Sequence, residues 1–152
     1  MEGARVLDLF GGSGALGFEA LSRGAAEVIW CDSSVRSIKA IRENARRFGI
    51  SLKRGDVLSM PALNAIRLLK KRGATFDLVF VDPPYESMLY QETLLALSLS
   101  GVTAPGGFVL VEHAKRIDLS PVYGDLILDR GRRYGETRIS WYVRATDSEV
   151  SN

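Results

Sequence analysis

Several features that often identify a class of protein are scarce or missing in this sequence. Cys31 is the only cysteine, which excludes an intrachain disulfide and a zinc site built from cysteines. No apolar run approaches membrane-spanning length, and the first residues do not have the pattern of a secretory signal. A single thiol fits a reducing compartment. We therefore expect a cytoplasmic protein with no membrane partner.

The net charge of +2 is also small, but the basic residues are unevenly distributed. One cluster contains Arg42, Arg46, Arg47, Lys53 and Arg54, and two more lie at 70–72 and 130–138. Such clusters are usually solvated surface. They permit a nucleic-acid partner without requiring one.

The most informative segment is RVLDLFGGSGALG at residues 5–17. An apolar run containing Asp8 leads into a glycine loop and then a helical pattern, which is how a βαβ nucleotide-binding unit begins. Gly12, Gly14 and Gly17 match G-x-G-x-x-G, so a dinucleotide is one candidate ligand. However, a carboxylate beside the loop would repel a pyrophosphate. The same carboxylate suits the ammonium and sulfonium of S-adenosylmethionine.

Two other acidic residues are candidates for the same ligand. Asp32 ends the second predicted strand, 18 residues beyond Gly14, where a carboxylate would bind ribose hydroxyls; alternatively, it caps the next helix. Asp56 could accept a hydrogen bond from an adenine amino group, with Val57 packed on the ring. A plain surface turn is the alternative for Gly55-Asp56-Val57.

The pattern as a whole predicts one α/β domain at residues 1–144 and a disordered polar tail at 145–152. Apolar runs alternate with amphipathic segments, which is typical of a parallel sheet with helices on both faces. The predicted strands are 5–10, 27–32, 52–56, 76–82, 106–113, 126–134 and 137–144, the predicted helices are 14–23, 34–48, 62–71 and 89–100, and 118–124 is irregular. We expect a Rossmann-like sheet of seven strands, in which five parallel strands precede a C-terminal hairpin whose last strand is antiparallel.

The tetrapeptide Asp82-Pro83-Pro84-Tyr85 ends the fourth predicted strand and suggests a reaction. Two prolines fix the backbone and remove two N–H donors. A carboxylate and a rigid carbonyl could hold both hydrogens of an exocyclic amine and free its lone pair for attack on a methyl sulfonium, while Tyr85 stacks on the base. A proline-rich turn with Tyr85 as packing is the structural alternative.

The segments DLFGGSGALGFEALSRGA, FVDPPY, VEH and RRYGETRISWY occur in that order. In this combination the sequence resembles the bacterial 16S ribosomal RNA guanine-N2 methyltransferases of the RsmD type, over about residues 3–144. The resemblance implies a class I methyltransferase fold, S-adenosylmethionine as donor with S-adenosylhomocysteine as product, no metal, and a guanine of 16S ribosomal RNA as acceptor. It assigns cofactor binding to Asp8, Gly11, Gly12, Gly14, Asp32, Asp56 and Val57, and base binding and catalysis to Asp82, Pro83, Pro84 and Tyr85.

Basic residues should extend the base site toward RNA. If the sixth strand is parallel to the first five, Arg132, Arg133 and Tyr134 emerge at the same sheet edge as Asp82 and suit phosphate and stacking contacts. Lys115 and Arg116 would lie on that edge too, just after the fifth strand. The alternative is that Tyr134 packs in the sheet and the arginines are only solvated. We expect a monomer that acts on 16S ribosomal RNA within an assembling small subunit.

Other functions are compatible with these residues. Asp-Pro-Pro-Tyr also suits the amine of DNA adenine or of protein glutamine. Family members usually carry a few dozen residues before the first strand, whereas this sequence begins with MEG directly at that strand. A non-catalytic RNA-binding or ribosome-assembly module that retains the fold is therefore a third candidate. A dinucleotide oxidoreductase is a fourth, and it would leave residues 82–85 unexplained.

Overall fold

The computed structural model describes residues 1–84 and 88–146, so the position of Tyr85 and of residues 147–152 lies outside the described part. The described strands are β1 (Arg5–Asp8), β2 (Glu27–Asp32), β3 (Val57–Ser59), β4 (Phe76–Val81), β5 (Thr103–Ala114), β6 (Val122–Tyr123), β7 (Leu126–Tyr134) and β8 (Thr137–Arg144). The described helices are α1 (Ala15–Ser22), α2 (Val35–Arg47), α3 (Ala62–Lys71) and α4 (Leu89–Ser100). None of these helices is long and apolar enough to span a membrane.

All eight described strands form one sheet, in the order β3-β2-β1-β4-β5-β8-β7-β6. The first five strands pair in parallel. Strand β8 is antiparallel to both β5 and β7, so β7 runs in the same direction as β5. This confirms the predicted five parallel strands followed by a hairpin with an antiparallel last strand.

The number of strands and the bounds of β1, β3 and β5 differ from the sequence prediction. The described sheet has eight strands rather than seven, because Val122–Tyr123 pairs with the edge of β7 inside the segment predicted to be irregular. The third strand lies at Val57–Ser59 rather than at 52–56. The reason is a turn before it, in which the Lys53 amide donates to the Asp56 carboxylate at 2.7 Å.

The helices cover the two faces of the sheet unequally. Helices α3 and α4 pack on one face and bury the larger apolar core. Helices α1 and α2 pack on the other face, over β1 and β2, around Trp30. On this second face, a groove of about 450 Å³ follows β4, β5 and β8; its walls include Leu16, Leu78, Phe80, Phe108, Leu110 and Trp141. Ala145, the first residue of the predicted tail, is buried and donates its amide hydrogen to the Asp125 carbonyl at 2.8 Å.

Candidate active site

The glycine loop connects β1 to α1 and is held against the end of β2. The Gly11 amide donates to the Cys31 carbonyl at 2.8 Å, and the Gly12 amide donates to the Asp32 carboxylate at 3.0 Å. Gly12 (φ +57°) and Gly14 (φ +88°) are left-handed, a conformation that a residue with a side chain rarely adopts. Among the residues that the structure describes, no side chain caps α1. Its first N–H groups are therefore left to a ligand or to water.

The last glycine of the motif has a packing role. A Cβ atom on Gly17 would lie 2.2 Å from Nε1 of Trp30, so no larger residue fits where α1 crosses β2. The same Nε1–H donates to the Gly14 carbonyl at 3.2 Å. Close contact with Trp30 thus fixes the start of α1, and with it the ligand-facing part of the loop.

Asp8 is the most unusual polar residue at this edge. It is 1% exposed, and its Oδ2 has no hydrogen-bond partner among the described residues. The pKa of this carboxyl is raised to about 7; burial is the largest cause, a hydrogen bond from the Phe10 backbone lowers it, and the nearby Asp82 and Asp32 raise it. Such a carboxyl keeps its proton unless a cation beside it stabilises the ionised form.

Asp32 shapes the loop as well as the start of α2. One of its oxygens accepts from Gly12, as above, and the other accepts from the Ser34 amide at 2.8 Å. Ser34 is the N-cap of α2 and accepts from the Ser37 amide at 3.4 Å. The sequence left two interpretations of Asp32, a ligand-binding residue and a helix cap. The structure shows that this carboxylate binds both the glycine loop and the start of α2. Its role in ribose binding stays a prediction.

Asp56 and Val57 lie where the chain enters β3. Val57 is the first residue of β3 and pairs with Trp30 of β2, which in turn pairs with Asp8 of β1, so Val57 lies level with Asp8 across the sheet. The Asp56 carboxylate accepts a hydrogen bond from the Lys53 amide in the turn before β3. The contacts of these two residues with an adenine ring stay a prediction.

The Asp-Pro-Pro segment follows β4 directly, as predicted. Asp82 is partly buried, Pro83 is buried and Pro84 is exposed. Burial raises the pKa of Asp82 to about 6, and the negative charge of Glu112 raises it further. Asp82 is therefore mostly a carboxylate at neutral pH and accepts hydrogen bonds.

A small pocket of about 70 Å³ lies beside Asp82. Val81 pairs with Val111, so Asp82 and Glu112 are the next residues on neighbouring parallel strands. Apolar side chains and these two carboxylates line the pocket: Leu16, Phe80, Val81, Asp82, Leu110, Glu112 and Ile139. It has room for the edge of a base rather than for a whole purine.

Buried side chains under the pocket hold the end of β5 in place. The Tyr90 hydroxyl donates to the Glu112 carbonyl at 3.0 Å, and its ring lies edge-on to the His113 ring at 6.1 Å. His113 Nδ1 donates to the Ala114 carbonyl at 3.0 Å, and Nε2 accepts from the Ser140 hydroxyl at 2.9 Å. Burial lowers the pKa of His113. The neutral ring is therefore a structural support for β5.

The basic residues lie where the sequence predicted them. Because β7 is parallel to β5, Arg132, Arg133 and Tyr134 emerge at the same edge as Asp82. Three strand spacings, roughly 14 Å, separate β4 from β7. Tyr134 is 53% exposed, so it does not pack in the sheet, and Arg132 lies 5.8 Å from its ring centre. Lys115 is exposed beyond β5 and donates its amide hydrogen to the Glu136 carbonyl at 2.8 Å; Arg116 is exposed beside it.

Sequence reasoning missed three residues that shape this edge. Asn44 on α2 donates from its side chain to the Ser13 carbonyl at 2.9 Å and steadies the loop. Met60 follows β3 and accepts from the Cys31 thiol at 3.2 Å. Neither contact has a local sequence signal, because each partner is about thirty residues away. Glu112 did have a signal, since it follows an apolar run as Asp82 does.

No three His, Cys, Asp or Glu side chains within residues 1–84 and 88–146 are grouped as a metal site requires. Asp8 and Asp82 come from adjacent strands of the sheet, β1 and β4. One carboxyl is thus placed beside the glycine loop and the other beside the pocket.

Comparison with known proteins identifies the family. The model of the family described as conserved hypothetical protein 95 matches residues 1–143. Ribosomal RNA small subunit methyltransferase D of Escherichia coli is 32% identical over 146 residues, which cover 96% of this chain and 71% of the relative. A solved structure of a conserved hypothetical protein from Streptococcus pyogenes has a TM-score of 0.83 at 31% identity and covers 98% of this chain and 89% of its own.

A more distant structure shows the same fold. The 16S rRNA N2 methyltransferase of Thermus thermophilus, solved with AdoMet and guanosine, has a TM-score of 0.73 at 17% identity over 95% of this chain and 38% of that chain. The fold is that of the class I methyltransferases. The chain belongs to the conserved hypothetical protein 95 family, which is the family of the RsmD-type small-subunit ribosomal RNA methyltransferases.

Proposed function

We propose that this chain transfers a methyl group from S-adenosylmethionine to the exocyclic N2 amine of a guanine in 16S ribosomal RNA. The observation that carries the proposal is the pairing of two acids on adjacent strands. Asp8 is buried beside the glycine loop, where its Oδ2 has no hydrogen-bond partner in the described part of the chain, and Asp82 begins an Asp-Pro-Pro segment beside a pocket. One acid suits a cationic donor, and the other suits an amine acceptor.

The residues at the glycine loop fit S-adenosylmethionine. Asp8 provides the carboxyl that its ammonium would require, and Asp32 lies next to Asp8 closely enough to raise its pKa. The open N-terminus of α1 provides backbone donors for a carboxylate. A dinucleotide fits less well, because its pyrophosphate would face these acids. Bound S-adenosylmethionine supplies an electrophilic methyl group.

Residues 82–84 would prepare the acceptor. The amine of guanine is a poor nucleophile because its lone pair is delocalised into the ring. The Asp82 carboxylate and a neighbouring proline carbonyl can each accept one of its hydrogens, which favours a tetrahedral nitrogen with a free lone pair. Holding that nitrogen in line with the methyl group lowers the entropic part of the barrier, and a charge-assisted hydrogen bond to Asp82 stabilises the positive charge that develops there.

The basic end of β7 supports RNA as the substrate. Arg132, Arg133 and the exposed Tyr134 lie roughly 14 Å from the Asp82 strand, which is suited to nucleotides that flank a base in the pocket. The name of the Escherichia coli relative, a small subunit ribosomal RNA methyltransferase, agrees with this choice of RNA. We propose that the chain acts as a monomer in the bacterial cytoplasm, on RNA in an assembling subunit.

This function is tested by measuring the transfer of a tritiated methyl group from labelled S-adenosylmethionine. The purified chain is incubated with naked 16S RNA, with 23S RNA and with assembled small subunits, and Asp82→Ala serves as the inactive control. We expect label in 16S RNA or in the small subunit, and none with Asp82→Ala. Label in DNA or protein would support the adenine or glutamine alternatives instead. Binding of 16S RNA without label in any acceptor would support a non-catalytic assembly module.

A further inference from the structure

Guanine differs from the other amine-bearing acceptors in the group next to its amine. In guanine the neighbouring ring nitrogen, N1, carries a hydrogen and is a donor. In adenine the neighbouring N1 has a lone pair, as does N3 in cytosine, and in glutamine the neighbour is a carbonyl oxygen. A second hydrogen-bond acceptor beside the amine site would therefore favour guanine and oppose the other three.

The structure places such an acceptor beside Asp82. Glu112 lies on the neighbouring parallel strand and lines the same pocket. Phe80, Leu110 and Ile139 form apolar walls around the two acids. Asp82 is partly buried among these walls, whereas Glu112 is exposed at the mouth of the pocket.

Glu112 is also held in position while its carboxylate is left available. The Tyr90 hydroxyl fixes its backbone carbonyl, and the buried His113–Ser140 pair fixes the next residue. Within residues 1–84 and 88–146, no Lys, Arg or His side chain forms an ion pair with the Glu112 carboxylate. The backbone of Glu112 is thus fixed, and its carboxylate borders the pocket and is open to a hydrogen-bond donor on the edge of a base.

We infer that Glu112 selects guanine by accepting the N1–H hydrogen while Asp82 accepts from the neighbouring N2 amine. This inference rests on the proposed function, because it assumes that Asp82 binds the amine. It adds a specificity residue on β5 to the Asp-Pro-Pro segment on β4. It also explains why a site of this type would reject adenine, whose N1 lone pair would face a carboxylate.

The test compares guanine with 2-aminopurine, which lacks both the N1 hydrogen and the O6 carbonyl, so the change of preference in the Glu112 variant is what reports on N1. Short oligouridine strands carry a single guanine or a single 2-aminopurine, which keeps the N2 amine but has a lone pair at N1. Their affinities for the chain are measured by fluorescence anisotropy in the presence of S-adenosylhomocysteine. The variants are Glu112→Gln and, as a matched control, Glu43→Gln, which removes one exposed carboxylate from α2.

We expect the unmodified chain to bind the guanine strand at least about tenfold more tightly, since a hydrogen bond to a charged group is lost with 2-aminopurine. In Glu112→Gln the preference should fall below about threefold, because the new amide can donate to the N1 lone pair. Glu43→Gln should retain the full preference. Both glutamine variants lose one negative charge, so any general gain in RNA affinity cancels between them.

Two results would overturn the inference. One is an unmodified chain that binds both strands equally, which needs no variant and so does not depend on how Glu112→Gln folds. The other is a Glu112→Gln variant that folds and keeps the preference of the unmodified chain. Because the readout is a ratio of affinities, it can fail while methyl transfer to RNA is observed. It can also hold when no methyl transfer is found, so the two failures are distinguishable.

Discussion

The buried carboxyl of Asp8 should make the ligand-free protein less stable as the pH rises. In the unfolded chain its pKa is near 3.8, and in the folded protein it is about 7. Between these values the folded state keeps a proton that the unfolded state has lost. Deprotonation therefore favours unfolding, and the free energy of unfolding falls from about pH 4 until it levels off above about pH 7. The direction is opposite to that of a salt-bridged aspartate.

The size of the effect follows from the two pKa values. A rise of the Asp8 pKa from 3.8 to about 7 on folding corresponds to roughly 4 kcal/mol of lost stability at high pH. Of this, roughly 2–3 kcal/mol should be lost between pH 5 and pH 8. Asp8→Asn cannot ionise, so the variant should escape this loss. Any fixed cost of burying the amide is the same at both pH values and cancels in the comparison.

Urea unfolding at pH 5 and at pH 8 measures this difference. The stability of Asp8→Asn relative to the unmodified protein should rise between the two pH values by roughly 2–3 kcal/mol. Asp129→Asn, which removes an exposed carboxylate, should show little change. An Asp8→Asn difference that is the same at both pH values would refute the reasoning. A cation bound beside Asp8 favours ionisation, so affinity for S-adenosylhomocysteine should rise with pH, and Asp8→Asn should lose that rise.

Four other variants test the roles of the two acids, the basic end of β7 and the buried histidine. Asp82→Ala should abolish methyl transfer, while its affinity for S-adenosylhomocysteine, measured by calorimetry, stays nearly unchanged. Asp32→Ala should weaken that affinity by roughly 1–3 kcal/mol. Equal losses of affinity in the two variants would contradict the assignment of Asp82 to the acceptor and of Asp32 to the cofactor. Replacing Arg132 and Arg133 by alanine should lower the slope of log affinity for RNA against log salt by about one to two; an unchanged slope would place the RNA surface elsewhere. Ser140→Ala should destabilise the protein by roughly 1–3 kcal/mol in urea, since it leaves a buried histidine nitrogen unpaired, and a loss below experimental error would show that the pair is not needed.

Most of the fold could be predicted because hydrophobic periodicity and turn residues agree along most of the chain. Helices α3 and α4 and strands β2, β7 and β8 have the predicted bounds. The third strand was misplaced because Gly55-Asp56 resembles the end of a strand, whereas it forms the turn before one. Strand β6 could not be predicted, since two residues form a strand only through pairing with β7.

Those parts of the candidate site could be predicted whose functional residues follow one another in the sequence. The glycine loop with Asp8 and the Asp-Pro-Pro segment each contain their own signal. The pairing of Asp82 with Glu112 requires knowing that β4 and β5 are neighbours in register. That Asp8 Oδ2 has no hydrogen-bond partner among the described residues is likewise a property of the packed fold, which no local pattern contains.

The central claim is that an exocyclic guanine amine is the methyl acceptor. Its most direct test is the identity of the modified nucleoside after the chain has acted on unmethylated 16S RNA with S-adenosylmethionine. The RNA is digested to nucleosides, which are separated and weighed by mass spectrometry. The account predicts N2-methylguanosine as the product, absent with Asp82→Ala. N6-methyladenosine, or a methyl group on a ring nitrogen or a ribose, would contradict it.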